Sequence, residues 1–348
     1  MEKLLIKPAT TVLFEKKENL PKYLPSLGNH FVLITDTNVK NAFQDVIETI
    51  LTNAGLSVST IVIEPGERKK NRETKEEIEN ILLKNHLGRD TCLIAFGGGV
   101  ILDLVGFVAA TYARGIPLVS IPTTLLGMVD ASIGGKTGVN TEKGKNLIGS
   151  YYFPTYILID FSFLDTLPEK EKKNGYAEII KYGLIADCSL FHKIETMPIQ
   201  EVILKSIKIK KRIIEKDPRE TGLRRSLNFG HTIGHAIEKF LHYEIAHGEA
   251  VGFGMLFASF LSCKLGFLSE EEYLKIASLL QRFGFSTHLP KMSYSDLQEA
   301  LLLDKKSLQK TPRFVLLDKI GHVHPFDGLY CTPIEPSLLQ EAYAHFSH

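Results

Sequence analysis

"TCLIAFGGGVILD", residues 91–103, decides the fold. The apolar run "TCLIAF" reads as a buried strand. It runs into Gly97, Gly98 and Gly99, and an apolar helix continues to about Tyr112. Strand, glycine turn and helix together make the repeating unit of an α/β domain. Glycine lets the backbone approach a ligand and take positive φ. A helix N-terminus presents N–H groups to a pyrophosphate. The spacing is not G-x-G-x-x-G, so the standard dinucleotide fingerprint is absent. Glycines at such a turn are more often turn chemistry than a ligand cradle.

Working outward, "HFVLITD" (30–36), "STIVIEP" (59–65), "IPLVSIP" (116–122) and "TYILID" (155–160) read as further strands. "NVKNAFQDVIETILTNAG" reads as one amphipathic helix ended by Gly55, and "RETKEEIENILLKNHLG" as another. Continuously apolar strands alternating with helices imply a parallel sheet covered on both faces. After about Pro168 the period becomes helical: "EKEKKNGYAEIIKYGLIAD", "IQEVILKSIKIKKRIIEKD", "GHTIGHAIEKFL", "GEAVGFGMLFASFLSCKLG" and "SEEEYLKIASLLQRFG". Only "RFVLLDKIGHVHPF" (313–326) reads as a small hairpin. The expected architecture is a Rossmann-like, mostly parallel α/β domain over 1–167 and a mostly α-helical domain over 168–348. The cleft between two such domains is the default place for a ligand.

Composition narrows the function. The formal net charge is +1, so no global field recruits nucleic acid or an acidic membrane. Cys92, Cys188, Cys263 and Cys331 form no C-x-x-C pair. That argues against a disulfide framework and a thiolate zinc site, and fits the cytoplasm. "MEKLLIKPATT" holds no apolar run of useful length, so no signal peptide is expected. The longest apolar stretch, residues 249–268, is broken by Lys264 and reads as a buried helix rather than a membrane span.

Several motifs carry chemistry. "GGKTG" (134–138) invites a phosphate-loop reading, but the glycine that motif requires is replaced by Asp130. Lys136 can still bind a phosphate as a point charge, or be a solvated loop lysine. Asp36, at the end of a strand, suits ribose or adenine hydrogen bonds. "RRSLNFGHTIGHAIE" (224–238) places His231, His235 and Glu238 on one helical stripe. His247, in "AHGEA", stands at the start of the next helix. Three histidines so close, beside glycines that allow tight packing, point to a divalent metal held with a carboxylate. Glu178, Glu238 and Glu249 are the carboxylate candidates, and spacing does not choose among them. Lys181, Lys208, Lys210, Lys211, Arg212, Arg224 and Arg225 are concentrated nearby. Most suit a solvated face, while a few turned inward would bind an anionic substrate.

The motifs "PGERKK", "FGGGVILDLVGFVAATYARG", "IPTTLLGMVDASIGGKTGVN", "KGKNLIGSYYFP", "DPRETGLRRSLNFGHTIGHAIE" and "HGEAVGFGM", in that order, resemble the 3-dehydroquinate synthase family. The resemblance runs through most of the chain and is highly specific. It implies the dehydroquinate synthase-like fold, one NAD⁺ and one divalent metal, zinc or cobalt. Glu178, His231 and His247 would be the metal ligands. The dinucleotide would lie against Asp36, Asn38, Glu67, Lys70, Gly98, Gly99 and Asp103, with Thr123, Thr124, Lys136, Lys145, Phe163 and Thr166 completing its site. Substrate contacts would come from Asp130, Lys136, Asn146, Lys181, Lys210, Arg224, Asn228, His235 and a lysine of "DKK", Lys305 or Lys306. Arg114 would reach a phosphate across a homodimer interface.

The implied reaction converts 3-deoxy-D-arabino-heptulosonate 7-phosphate to 3-dehydroquinate and phosphate, a step of the shikimate pathway. It passes through transient oxidation, phosphate elimination, re-reduction, ring opening and intramolecular aldol closure. The alternatives are another sugar-phosphate cyclase, a metal- and NAD-dependent polyol dehydrogenase, and a non-catalytic binding protein that kept the fold. Two departures stand out. Leu102 and Ser120 replace a glycine and a glutamine usual in the family. Leu102 either enters the helix and faces the core, or faces the pyrophosphate.

Overall fold

The computed structural model describes residues 2–6, 10–142, 144–302 and 311–347. Its backbone separates into two units, Met1–Lys172 and Lys173–His348. The first unit holds strands β1 (Glu2–Ile6), β2 (Thr10–Phe14), β3 (His30–Asp36), β4 (Ser57–Ile63), β5 (Thr91–Gly97) and β6 (Leu118–Pro122). β7 (Lys136–Thr141) and β8 (Gly144–Tyr151) pair as a separate antiparallel hairpin, and β9 (Tyr156–Ile159) returns to the main sheet. The main sheet runs in the order β1-β2-β9-β6-β5-β3-β4. All its pairings are parallel except β1 with β2. β5 is buried at every position, as a strand covered on both faces must be.

Helices α1 (Thr37–Phe43), α2 (Val46–Asn53), α3 (Arg72–Lys84) and α4 (Gly99–Thr111) belong to this unit. The single helix expected over 38–55 is in fact two. The chain breaks at Gln44, where φ is 50°. Phe43 packs on Phe96 and Phe163 at ring separations of 5.9 and 5.0 Å. Ile47 and Leu51 bury on the far side of the break. The hydrophobic period is continuous through it, so periodicity alone does not reveal it.

The second unit is built mainly from helices: α5 (Glu169–Ala186), which begins in the first unit, α6 (Cys188–Lys193), α7 (Ile199–Lys216), α8 (His231–Phe240), α9 (His247–Lys264), α10 (Glu270–Arg282), α11 (Tyr294–Leu302) and α12 (Pro336–Phe346). The hairpin expected over 313–326 is shorter. Gly321, at φ 88°, turns the chain so that Leu317–Lys319 pairs with His322–Val323. Arg313–Phe314 pairs instead with Thr332–Pro333. Among the described residues no helix is long and apolar enough to cross a membrane, and the apolar run of α9 is buried as core.

Leu102 lies in the first turn of α4 and is 4% exposed. It joins Val32, Ile34, Leu93 and Ala95 in the core on the sheet. The departure from the family glycine therefore fills the core rather than the ligand side of the turn. Leu102→Ala should destabilise the chain by about 2–5 kcal/mol, as truncation of a buried leucine does, read from the midpoint of urea unfolding.

Candidate functional site

In the first unit, the carboxyl ends of three neighbouring strands gather the residues expected to hold a dinucleotide. β3 ends at Asp36, whose carboxylate caps α1 by accepting the Val39 N–H at 3.0 Å. β5 ends at Gly97, and β6 leads to Thr123, whose N–H donates to the Gly97 carbonyl at 3.0 Å. β3 pairs with β4 on one side and with β5 on the other, so the chain reverses its direction of winding there. Ligands of open α/β sheets bind at such a point. Gly98 and Gly99 open α4, and its N-cap, Gly98, offers no side chain to cap the first amides. A Cβ on Gly98 would stand 3.2 Å from Thr124 Cγ2, so a larger residue would crowd this turn. The place suits a pyrophosphate.

A polar network lies in the same unit. Lys70, 4% exposed, donates to Asp103 Oδ2 at 2.5 Å and to Asn146 Oδ1 at 2.6 Å. Asn140 ties the loop of Glu67 to that of Asn146. Its Nδ2 donates to Glu67 Oε1 at 2.8 Å, and its Oδ1 accepts the Asn146 N–H at 3.0 Å. Asn146, expected at the substrate, thus sits with Lys70 and Asp103, expected at the cofactor. Sequence reading missed Asn140, because it bonds one backbone N–H nearby and a glutamate 73 residues away, neither of which leaves a motif. Asp130 stands on a single wide turn, Gly127–Ala131, where Ser132 N–H reaches back to the Gly127 carbonyl. Such turns recur at functional sites. Asn38, Lys136, Arg114 and Thr166 are exposed, and Lys145 is half-buried. Phe163 is buried in its aromatic cluster with Phe43 and Phe96.

In the second unit, three helices converge on one cluster. α8 starts at Gly230, which adopts φ 80°. A Cβ on Gly254 of α9 would fall 1.9 Å from the Gly230 carbonyl oxygen, so the two helices meet backbone to backbone. That approach brings His231 and His235 of α8 beside His247, the first residue of α9, with ring centroids 5.3 to 6.3 Å apart. α5 closes the third side. Asn174 Oδ1 accepts the Gly248 N–H at 2.5 Å, and one turn later α5 presents Glu178. A Cβ on Gly248 would meet the Asn174 backbone at 2.6 Å, so only glycine admits this contact.

Glu178 is fully buried. Its Oε2 accepts from Lys181 Nζ, itself 2% exposed. Its Oε1 has no hydrogen-bond partner among the described residues. It lies 3.5 Å from His231 Nε2 and 3.4 Å from His247 Nε2. Ligand atoms about 2.0–2.2 Å from a tetrahedral metal stand about 3.3–3.6 Å apart, so the spacing fits a shared divalent ion. The rings are set for it. His231 Nδ1 lies 3.1 Å from the Phe229 carbonyl, which can only accept, so the lone pair is on Nε2. His247 Nδ1 lies 3.5 Å from Glu238 Oε1. Burial opposes the charged form of His247, but the Glu178 and Glu238 carboxylates outweigh it and raise its pKa to about 10. A metal entering here displaces that proton.

His235, Glu238 and His247 also bring donor atoms within 4.8 Å of one another, a second possible ligand set. Glu249, the third carboxylate candidate, is drawn away to Lys173. Lys210 and Arg224 are buried, at 7% and 1% exposure. Lys305 and Lys306 lie outside the described residues.

Asp217 is a residue that sequence reading missed. Its carboxylate accepts the Thr221, Gly222 and Arg224 N–H groups at 3.0, 2.7 and 3.0 Å, and the Thr221 hydroxyl at 3.2 Å. Glu220, at φ 61° in the same loop, accepts from Asn228 Nδ2 at 2.6 Å. The loop thus fixes both Arg224 and Asn228. An acid before a proline at the end of a helical run, seven residues ahead of Arg224, was the available signal.

The sequence 60–174 matches the family described as 3-dehydroquinate synthase N-terminal, and 175–307 that described as 3-dehydroquinate synthase C-terminal. The 3-dehydroquinate synthase of Pelobacter propionicus is 40% identical over 318 residues, covering 86% of this chain and 89% of the relative. The chain belongs to the 3-dehydroquinate synthase family. It is accordingly an enzyme. Among solved structures, a 2-deoxy-scyllo-inosose synthase complexed with carbaglucose-6-phosphate, NAD⁺ and Co²⁺ superposes with TM-score 0.91 at 25% identity, covering 99% of this chain and all of that one. A 2-epi-5-epi-valiolone synthase from Streptomyces hygroscopicus, with NAD⁺ and Zn²⁺ bound, gives TM-score 0.88 at 27% identity, with 99% and 98% covered.

Asp217 also yields a pH dependence. Burial alone would raise its pKa, but its hydrogen bonds lower it to about 2 from the ordinary 3.8. Its contribution to stability is complete above 3.8 and is lost as the pH falls through about 2. Asp217→Asn should cost on the order of 2 kcal/mol at neutral pH, measured by urea unfolding. That deficit should shrink on acidification, and a deficit constant with pH would contradict the assignment.

Proposed function

We propose that Glu178, His231 and His247 form the metal centre of a synthase that converts 3-deoxy-D-arabino-heptulosonate 7-phosphate to 3-dehydroquinate and phosphate, the activity of its family. One observation carries the reading: a fully buried carboxylate oxygen without a hydrogen-bond partner among the described residues, flanked by two imidazole Nε2 atoms at 3.4 and 3.5 Å. Bound NAD⁺ would supply reversible hydride acceptance at the substrate's C5 carbinol, and a divalent metal, zinc or cobalt, held by Glu178, His231 and His247 would supply acidity to that hydroxyl. The expected domains, 1–167 and 168–348, divide the work into dinucleotide binding and metal and substrate binding.

The chain's own residues supply binding and proton control. Lys136, His235 and Arg114 suit the substrate phosphate, Arg114 acting on the site of a partner in a homodimer. Lys210 and Arg224 suit the carboxylate, and the Asp217 loop holds Arg224 and Asn228 in place. Lys181, fixed by Glu178, and Asp130 suit the hydroxyls and carry their proton transfers. Phosphate leaves by elimination, and its own oxygen takes the neighbouring C–H proton, so no strong protein base is required. Ring opening and aldol closure then need little beyond a held conformer. A carboxylate-binding pair favours the heptulosonate over sugar phosphates that lack that group. The absence of a membrane-length helix among the described residues fits a cytoplasmic place of action.

Turnover should release phosphate stoichiometrically with no accumulation of NADH. Steady NADH accumulation would instead indicate a polyol dehydrogenase. His231→Ala should strip the metal, and His235→Ala should leave it bound while slowing turnover, measured by metal content and phosphate release. Loss of metal in both would contradict the ligand set.

A further inference from the structure

We propose that Glu238 is a positioning residue for the metal centre: through Nδ1 of His247 it aims Nε2 at the ion beside Glu178. The proposal rests on the metal reading above. Glu238 stands one helical turn after His235 on α8 and is 1% exposed. Its Oε1 lies 3.5 Å from His247 Nδ1, while His247 Nε2 lies 3.4 Å from Glu178 Oε1. The imidazole is thus flanked at its two nitrogens by carboxylates from two different helices, α8 and α5. An imidazole gives a metal one nitrogen, and its other N–H then needs an acceptor. A buried carboxylate is the strongest acceptor available, and it raises the basicity of the ligating nitrogen.

The charges support the same division of labour. Glu178 already shares its carboxylate with the Lys181 ammonium through Oε2. A dication bound at Oε1 therefore meets a carboxylate that is already partly compensated. Glu238 adds a second negative charge on the far side of the His247 ring, without occupying a coordination position. The rival arrangement, with Glu238, His235 and His247 as the ligands, would require His247 to bind through Nδ1. It would leave the fully buried Glu178 Oε1 with neither a metal nor a hydrogen bond. The geometry therefore makes Glu238 a support for the ligand rather than a ligand itself. His231 has the equivalent support in the Phe229 carbonyl, 3.1 Å from Nδ1. At Nδ1, His231 thus faces a neutral carbonyl and His247 a carboxylate.

The test is chelator-competition measurement of the Zn²⁺ dissociation constant for the unsubstituted chain, Glu238→Gln, Glu238→Asp and His231→Ala, with the visible spectrum of each Co²⁺ form. Glu238→Gln should weaken Zn²⁺ binding by about 10–100-fold while keeping one ion per chain and a tetrahedral Co²⁺ spectrum. Affinity within about twofold of the unsubstituted chain would overturn the proposal. So would loss of metal as complete as in His231→Ala, which would make Glu238 a ligand. Thermal unfolding of the metal-free forms separates lost fold from lost metal. If Glu238→Gln does not fold, Glu238→Asp decides by the same criteria. Failure of the unsubstituted chain to bind Zn²⁺ would overturn the metal reading itself, and with it this proposal. Normal binding with no effect of Glu238→Gln would overturn the proposal alone.

Discussion

A carboxylate taken wholly out of water must be met by charge or hydrogen bonds, or it costs several kcal/mol. Glu178 is in that position. Lys181 meets one of its oxygens, and the other is turned toward two imidazoles. Without a cation, the Glu178 and Glu238 carboxylates favour a proton on His247 and raise its pKa against the effect of burial. With a cation, that proton becomes unnecessary and both imidazole Nε2 atoms can serve as ligands. The burial of Glu178 thus favours a bound dication, and the surrounding helices are arranged to permit it.

Close backbone approach is how they do so. Gly230 and Gly254 let α8 and α9 meet without side chains between them, and Gly248 lets the N-terminus of α9 meet Asn174 on α5. The three donors proposed for the metal lie on three helices, so each helix fixes one of them. The loop after α7 follows the same economy: Asp217 gathers backbone N–H groups, and the loop it closes holds Arg224 and Asn228. In the first unit, Asn140 ties the loops of Glu67 and Asn146, and Lys70 ties Asp103 of α4 to Asn146. Rigid supports of this kind suit chemistry that asks the protein mainly to hold a conformer.

Much of this was legible in the residues. The apolar runs of β3, β5 and β6 announced a parallel sheet, and the change of period after Pro168 announced the helices. The amphipathic run over 38–55 concealed a break because its hydrophobic period continues through Gln44. β1 and β2 carry apolar runs of only three residues, and the β7–β8 hairpin interleaves glycines and polar positions, so none of them stood out. At the site, helical spacing brought His231, His235 and Glu238 to one stripe but could not separate their tasks. That separation depends on Glu178, which lies on a helix 53 residues earlier than His231 and reaches the cluster only through tertiary packing. Asp217 and Asn140 escaped the periodic reading for a related reason: their work is done on backbone groups and loops, which leave no periodic trace.

The most direct test of the central claim is anomalous diffraction at the zinc edge from crystals of the Zn²⁺-loaded chain. The account predicts one peak bounded by Glu178 Oε1, His231 Nε2 and His247 Nε2, with Glu238 against Nδ1 of His247. A peak enclosed by His235, Glu238 and His247 would contradict it.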